Sequence, residues 1–98
     1  MEQGKEKRKL LVADDSYVCR AVIRKTFEEL FEVVEARDGE ETMEILRRDP
    51  AAITILLLDI QMPRMDGNAV LRAMMETPAL SAIPVIITTC EEERDREA

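Results

Sequence analysis

The run Ile53-Thr54-Ile55-Leu56-Leu57-Leu58, closed at once by Asp59, limits what this chain can fold into more than any other stretch. Six residues are too few for an ordinary helix, and apart from Thr54 no polar residue breaks the run. It therefore predicts a strand buried on both faces, as in the interior of a parallel sheet covered by helices. Asp59 sets a charge at the carboxyl end of that strand, the place where open α/β sheets hold their ligands. Met62-Pro63 and Asp66-Gly67 follow as turn signals. By itself Asp59 reads more readily as a cap for the next turn; the acids forty-odd residues upstream weigh against that.

Along the chain, strand and helix patterns alternate. After a polar leader over residues 1–8, Lys9 to Ala13 reads as a short buried strand closed by Asp14-Asp15-Ser16, with Ser16 suited to cap a helix. Cys19, Val22, Ile23, Phe27 and Leu30 then recur three or four apart. Arg20, Arg24, Lys25, Glu28 and Glu29 fill the other face, which predicts one amphipathic helix. Phe31 to Ala36, rich in Val but carrying two Glu, suits a strand near a sheet edge. Asp38-Gly39-Glu40-Glu41 resembles a capping box and predicts a second helix to about Arg48, stopped by Asp49-Pro50. Beyond the central strand, Val70, Leu71, Met74 and Met75 form the apolar face of a third helix, with both methionines expected as core filler and Thr77-Pro78 as its end. Pro84 to Thr89 gives a fourth strand, and the rest is charged. Such alternation argues for parallel strands joined by right-handed crossovers, an α/β fold in one domain over 9–98.

Composition removes several function classes. A formal charge of -7 leaves no basic surface for nucleic acid, and the cluster Lys5, Lys7, Arg8 and Lys9 reads as a solvated leader. No stretch approaches the roughly eighteen apolar residues of a membrane span. Cys19 and Cys90 have no metal-ligand spacing, so reduced thiols in a cytoplasmic setting are expected. Without histidine there is no Ser-His or Cys-His pair, and the chain is no phosphohistidine carrier.

If the sheet is parallel, Asp14 and Asp15 end the first strand on the same edge where Asp59 ends the third, and Thr89 brings a hydroxyl to that edge. Carboxylates gathered so closely raise one another's proton affinity unless a cation intervenes. Mg²⁺ takes one or two carboxylates, keeps several waters and often adds a phosphate oxygen, which suits this edge.

With these pieces the chain resembles the receiver domain of bacterial two-component response regulators. The matching residues are Leu11-Val12-Ala13-Asp14-Asp15-Ser16, Asp59 with Met62-Pro63-Arg64-Met65-Asp66-Gly67, and Pro84-Val85-Ile86-Ile87-Thr88-Thr89. The resemblance implies a flavodoxin-like doubly wound sheet, order 2-1-3-4 here, with the family's fifth strand and helix missing. It implies that Asp59 accepts a phosphoryl group from the histidine of a sensor kinase or phosphotransfer protein and switches a downstream output. Asp15 and Asp59 are then expected to bind Mg²⁺ directly, Asp14 through water, and the backbone carbonyl of Gln61 to complete the protein's share. Thr89 corresponds to the switch hydroxyl, while Pro63 and Gly67 shape the loop, Gly67 by backbone freedom.

The family's fifth-strand lysine has no counterpart, since Lys5, Lys7, Lys9 and Lys25 all precede the second strand. The chain thus reads as a shortened receiver that is no turnover enzyme. Two alternatives follow: a fold kept only for protein interaction or dimerisation, and a Mg²⁺-dependent phosphohydrolase with an Asp nucleophile. Gln61 stands where the phosphohydrolase would need an acid. With the fourth strand at an edge, Val85 to Thr89 is expected to pair between copies as a homo-oligomer.

Overall fold

The structure, a computed structural model, describes residues 7–88. Four parallel strands form one sheet in the order β2-β1-β3-β4, with β1 (Arg8–Ala13), β2 (Phe31–Ala36), β3 (Ile53–Asp59) and β4 (Val85–Thr88). Helix α1 (Tyr17–Phe27) joins β1 to β2 and α2 (Gly39–Arg48) joins β2 to β3. After β3 come α3 (Gly67–Met75) and a short α4 (Pro78–Ser81). The 2-1-3-4 order is the one the resemblance implies, and β2, with its two Glu, does stand at an edge.

Side-chain alternation divides the sheet into two faces. Leu11, Ala13, Leu56 and Leu58 pack with Met43 and Leu46 of α2, Val70 and Met74 of α3, and Leu80 of α4. Leu10, Val12, Val33 and Leu57 meet Ile23 and Phe27 of α1 on the opposite side. In β1, Leu11 to Ala13 are wholly buried because both edges of the strand are paired and both faces covered.

The caps at Ser16 and Asp38 follow the sequence, and Asp66, read there as a turn residue, adds a third. Ser16 accepts from the Cys19 N–H at the start of α1, Asp38 from the Glu41 N–H at the start of α2, and Asp66 from the Ala69 N–H at the start of α3. Glu41 returns its bond one residue early, accepting from the Arg37 N–H at 2.7 Å.

Several expectations need correction. Strand β1 begins at Arg8, inside the expected leader. On α1, Val22 and Leu30 are exposed while Arg20 is buried, because the guanidinium finds two oxygens beneath the helix, the Asp14 carbonyl and Glu35 Oε1, and the helix stops at Phe27 before Leu30 can turn inward. Met75 is exposed, since the last turn of α3 carries only Met74 to the core. Pro78 does follow the end of α3, and it also opens α4, a position in which its missing N–H is no loss. A 3-10 turn over Pro50–Ala52 also went unforeseen. Cys19, buried in the first turn of α1, is disulfide-bonded rather than a reduced thiol; the absence of metal spacing could not decide its redox state.

Candidate functional site

The first acidic segment is the turn between β1 and α1. Asp14 is held to the sheet by its N–H, which donates to Ala36 O at 3.1 Å. Its Oδ1 accepts from the Ser16 N–H at 2.9 Å, and Ser16 Oγ in turn caps α1. Under this turn lies Arg20. Its Nη1 donates to the Asp14 carbonyl at 2.8 Å and its Nε to Glu35 Oε1 of β2 at 2.9 Å. Arg24 donates to the other oxygen of Glu35 at 2.7 Å. Burial pushes Glu35 up, but the two guanidinium groups outweigh it and hold the carboxyl below its ordinary range.

The second segment, between β3 and α3, carries Asp59 at its root. The Gln61 N–H donates to Asp59 Oδ1 at 3.1 Å, and the loop closes at its base where the Gly67 N–H meets Ile60 O at 2.8 Å. Gly67 is required for space rather than for backbone freedom, since its φ is not positive. A Cβ there would stand 2.6 Å from Asp59 O and from Ile60 Cα. At the loop's tip, Arg64 takes φ 66°, the left-handed region, which costs a side-chain-bearing residue about 1–2 kcal/mol. Its Nε donates to Asp38 Oδ2 at 2.9 Å, while Asp38 Oδ1 caps α2. The Glu41 N–H and then the Arg64 guanidinium hold Asp38 below its ordinary range against the opposing effect of burial.

These two segments bring three carboxylates together. One oxygen each of Asp14, Asp15 and Asp59 lies within 4.8 Å of the others. Burial, with the nearby charges of Asp59 and Asp15, pushes Asp14 up to about 6 despite the Ser16 N–H. Asp14 Oδ2 is buried with no hydrogen-bond partner. A hard cation would answer both features, so the residues present suit Mg²⁺. Asp14, Asp15 and Asp59 thus gather at one edge, and Gln61 meets them through its amide N–H on Asp59 Oδ1. Thr89 lies outside the described residues.

Three contributors were not foreseen. Arg20 was assigned to the solvent face by helical periodicity, and only its position five residues after Asp15 hints at its reach. Arg64 sits in a turn, where a long side chain carries no periodic signal. Thr88 is register partner to Asp59, and its Oγ1 is buried without a partner; its place beside Thr89 was the available clue.

The response regulator receiver domain matches residues 10–98. The chain belongs to that family. Among curated relatives, a gliding motility regulatory protein of Myxococcus xanthus is 38% identical over 80 residues, covering 81% of this chain and 10% of that protein. A protein-glutamate methylesterase/protein-glutamine glutaminase of Myxococcus xanthus is 41% identical over 92 residues, covering 89% of this chain and 24% of its own length. The receiver thus spans only a tenth to a quarter of these two relatives. Among solved structures, the N-terminal domain of a response regulator receiver protein from Methanoculleus marisnigri superposes with TM-score 0.75 at 32% identity, covering 91% of this chain and 74% of that one. The signal receiver domain of a histidine kinase from Syntrophus aciditrophicus gives 0.76 at 28% identity, covering 92% and 68%. A receiver of the two-component type is therefore the established reading of this fold. No helix among the described residues is long and apolar enough to cross a membrane.

Proposed function

We propose that Asp59 is the phosphoacceptor of this receiver, taking its phosphoryl group from a phosphohistidine on a sensor kinase or phosphotransfer protein. The observation that carries this is the convergence of Asp14, Asp15 and Asp59 on one point, with the Gln61 amide fixing one oxygen of Asp59. The other oxygen attacks phosphorus, the P–O bond forms as the P–N bond breaks, and the leaving imidazole keeps the electron pair and later takes a proton from solvent. Asp15, Asp59 and the Gln61 carbonyl would hold Mg²⁺ directly and Asp14 through water. Bound there, the ion offsets charge on the transferring group. Thr89 is the hydroxyl proposed to turn toward the phosphorylated aspartate and carry the signal to an output. The domain over 9–98 then acts as a switch and not as a turnover enzyme.

Incubation with acetyl phosphate and Mg²⁺, read by intact mass, tests this. A gain of one phosphoryl group is expected in the wild type and none in Asp59→Asn. Equal labelling of the two proteins would remove Asp59 from the role.

A second reading is favoured by β4, where Ile86 and Ile87 are exposed and no further strand pairs among the described residues. Two copies pairing through β4 would cover them. Sedimentation over a concentration series is expected to show a dimer that Ile86→Lys disperses; a monomer at every concentration would end this reading.

A further inference from the structure

We propose that Arg64 is a positioning residue, latching the loop between β3 and α3 to the first turn of α2 and so setting where Gln61 stands against Asp59. The inference rests on the reading of Asp59, Asp15 and Gln61 given above, and adds to it a pair of residues, Asp38 and Arg64, that touch neither cation nor phosphoryl group.

Three observations point the same way. Arg64 is the one described residue other than glycine with positive φ, a conformation that persists in a large residue only where its surroundings hold it. Its partner Asp38 is buried and divided, with one oxygen committed to the Glu41 N–H and the other to Arg64 Nε. The helix therefore fixes the carboxylate, and the carboxylate fixes the loop. Finally, the loop backbone at Met65 lies so close to Gly39 that a Cβ there would overlap the Met65 carbonyl. Loop and helix consequently share a surface that the ion pair closes from outside.

The link to the site is short. The base of the loop is tied by the Gly67 N–H on Ile60 O, and its tip by Arg64. Gln61 lies between those two ties and gives its N–H to Asp59 Oδ1. A loop pinned at both ends has little room to rotate that peptide; freed at the tip, it can turn the Gln61 amide off Asp59. Because the Arg64 side chain is 63% exposed, its ion pair adds little to overall stability. Its effect is expected on the site, which separates a positioning role from a merely structural one.

The test uses the whole chain and two readouts. In the metal-free protein, the Gln61 amide resonance and its hydrogen-exchange rate should change in Arg64→Ala and return toward wild type in Arg64→Lys. In calorimetric titration with MgCl₂, Arg64→Ala should bind roughly three- to tenfold more weakly, within or just below the range seen when residues supporting a metal ligand are lost. Asp38→Asn, which keeps the cap, should give a similar loss, and the double variant should lose no more than either single one. Thermal midpoints should stay close to wild type throughout. An unmoved Gln61 amide in Arg64→Ala, or losses that add in the double variant, would overturn the latch. Should Asp15→Asn titrate like wild type, the cation reading is what fails, and the Gln61 amide still decides the latch.

Discussion

The two segments that bring acids to the carboxyl edge of the sheet are each held by an arginine, but in opposite settings. The turn after β1 is gripped from beneath by Arg20, whose side chain is only 9% exposed. It is committed to the Asp14 carbonyl and to Glu35. The loop after β3 is gripped from outside by Arg64, open to water, on the buried carboxylate of Asp38. A buried guanidinium must have all its partners, because losing one strands a charge in a poor dielectric. An exposed one can let go and be rehydrated at small cost. The first segment is thus part of the fold's stability, whereas the second can be adjusted without unfolding the chain.

If that contrast holds, Arg20→Ala should be the most damaging change. It leaves Glu35 with Arg24 alone and removes a donor from the Asp14 carbonyl, for a loss of roughly 3–4 kcal/mol in denaturant unfolding. Arg20→Lys should recover little, since one ammonium cannot span both partners. A loss no greater than that of Arg64→Ala would erase the distinction.

The pH dependence of the metal-free protein sharpens it further. Asp14 has a folded value of about 6, above its ordinary 3.8. Its contribution is therefore favourable in full below about pH 4 and is lost as pH rises through 6, by up to ~3 kcal/mol. Glu35 and Asp38 are lowered instead, so their contributions are lost as pH falls through the acid range. Unfolding midpoints should then fall from about pH 4 to about 6 and level off above that, and Asp14→Asn should flatten that limb. An unchanged limb in the variant would show that Asp14 does not cause it.

Gly39→Ala tests the contact beneath the outer clasp. Its Cβ meets backbone, which must move as a unit, so a loss of about 2 kcal/mol is expected in chemical denaturation. A smaller loss would show that the loop is free to lift from α2. The smallest effect belongs to Arg64→Ala, under about 1 kcal/mol, with sensitivity to salt in the wild type that the variant lacks. A salt-independent loss of several kcal/mol would place Arg64 in the same class as Arg20.

Much of this was legible in the sequence because it follows from local rules. Ile53 to Leu58 could only be an interior strand, and Ser16 and Asp38 could each cap the helix that follows. Strand ends then carried Asp14, Asp15 and Asp59 to one edge with no knowledge of tertiary contacts. Arg20 escaped because periodicity assigns any arginine to solvent and cannot see the oxygens of Asp14 and Glu35 beneath it. Met75 was misplaced by the same rule, which extends an apolar face to the end of a helix without knowing where the core stops. Gly67 shows a third limit: its spacing is set by the backbone of Asp59 across the loop, and nothing in a turn signal separates lack of room from need of an unusual dihedral.

The position of β1 bears on how the chain assembles. Leu11 is register partner to Val34 on one side and Leu56 on the other, so the first of these four strands to leave the ribosome is among the last to be enclosed. Until β3 has emerged, Leu11, Val12 and Ala13 have only β2 for company and their other backbone edge is open. Pairings between such distant segments form slowly, after the entropy of closing the intervening chain has been spent. A nascent receiver therefore carries the buried half of β1 half-dressed until β3 has emerged, and substitutions that delay β3 should be felt first as lost yield of soluble protein.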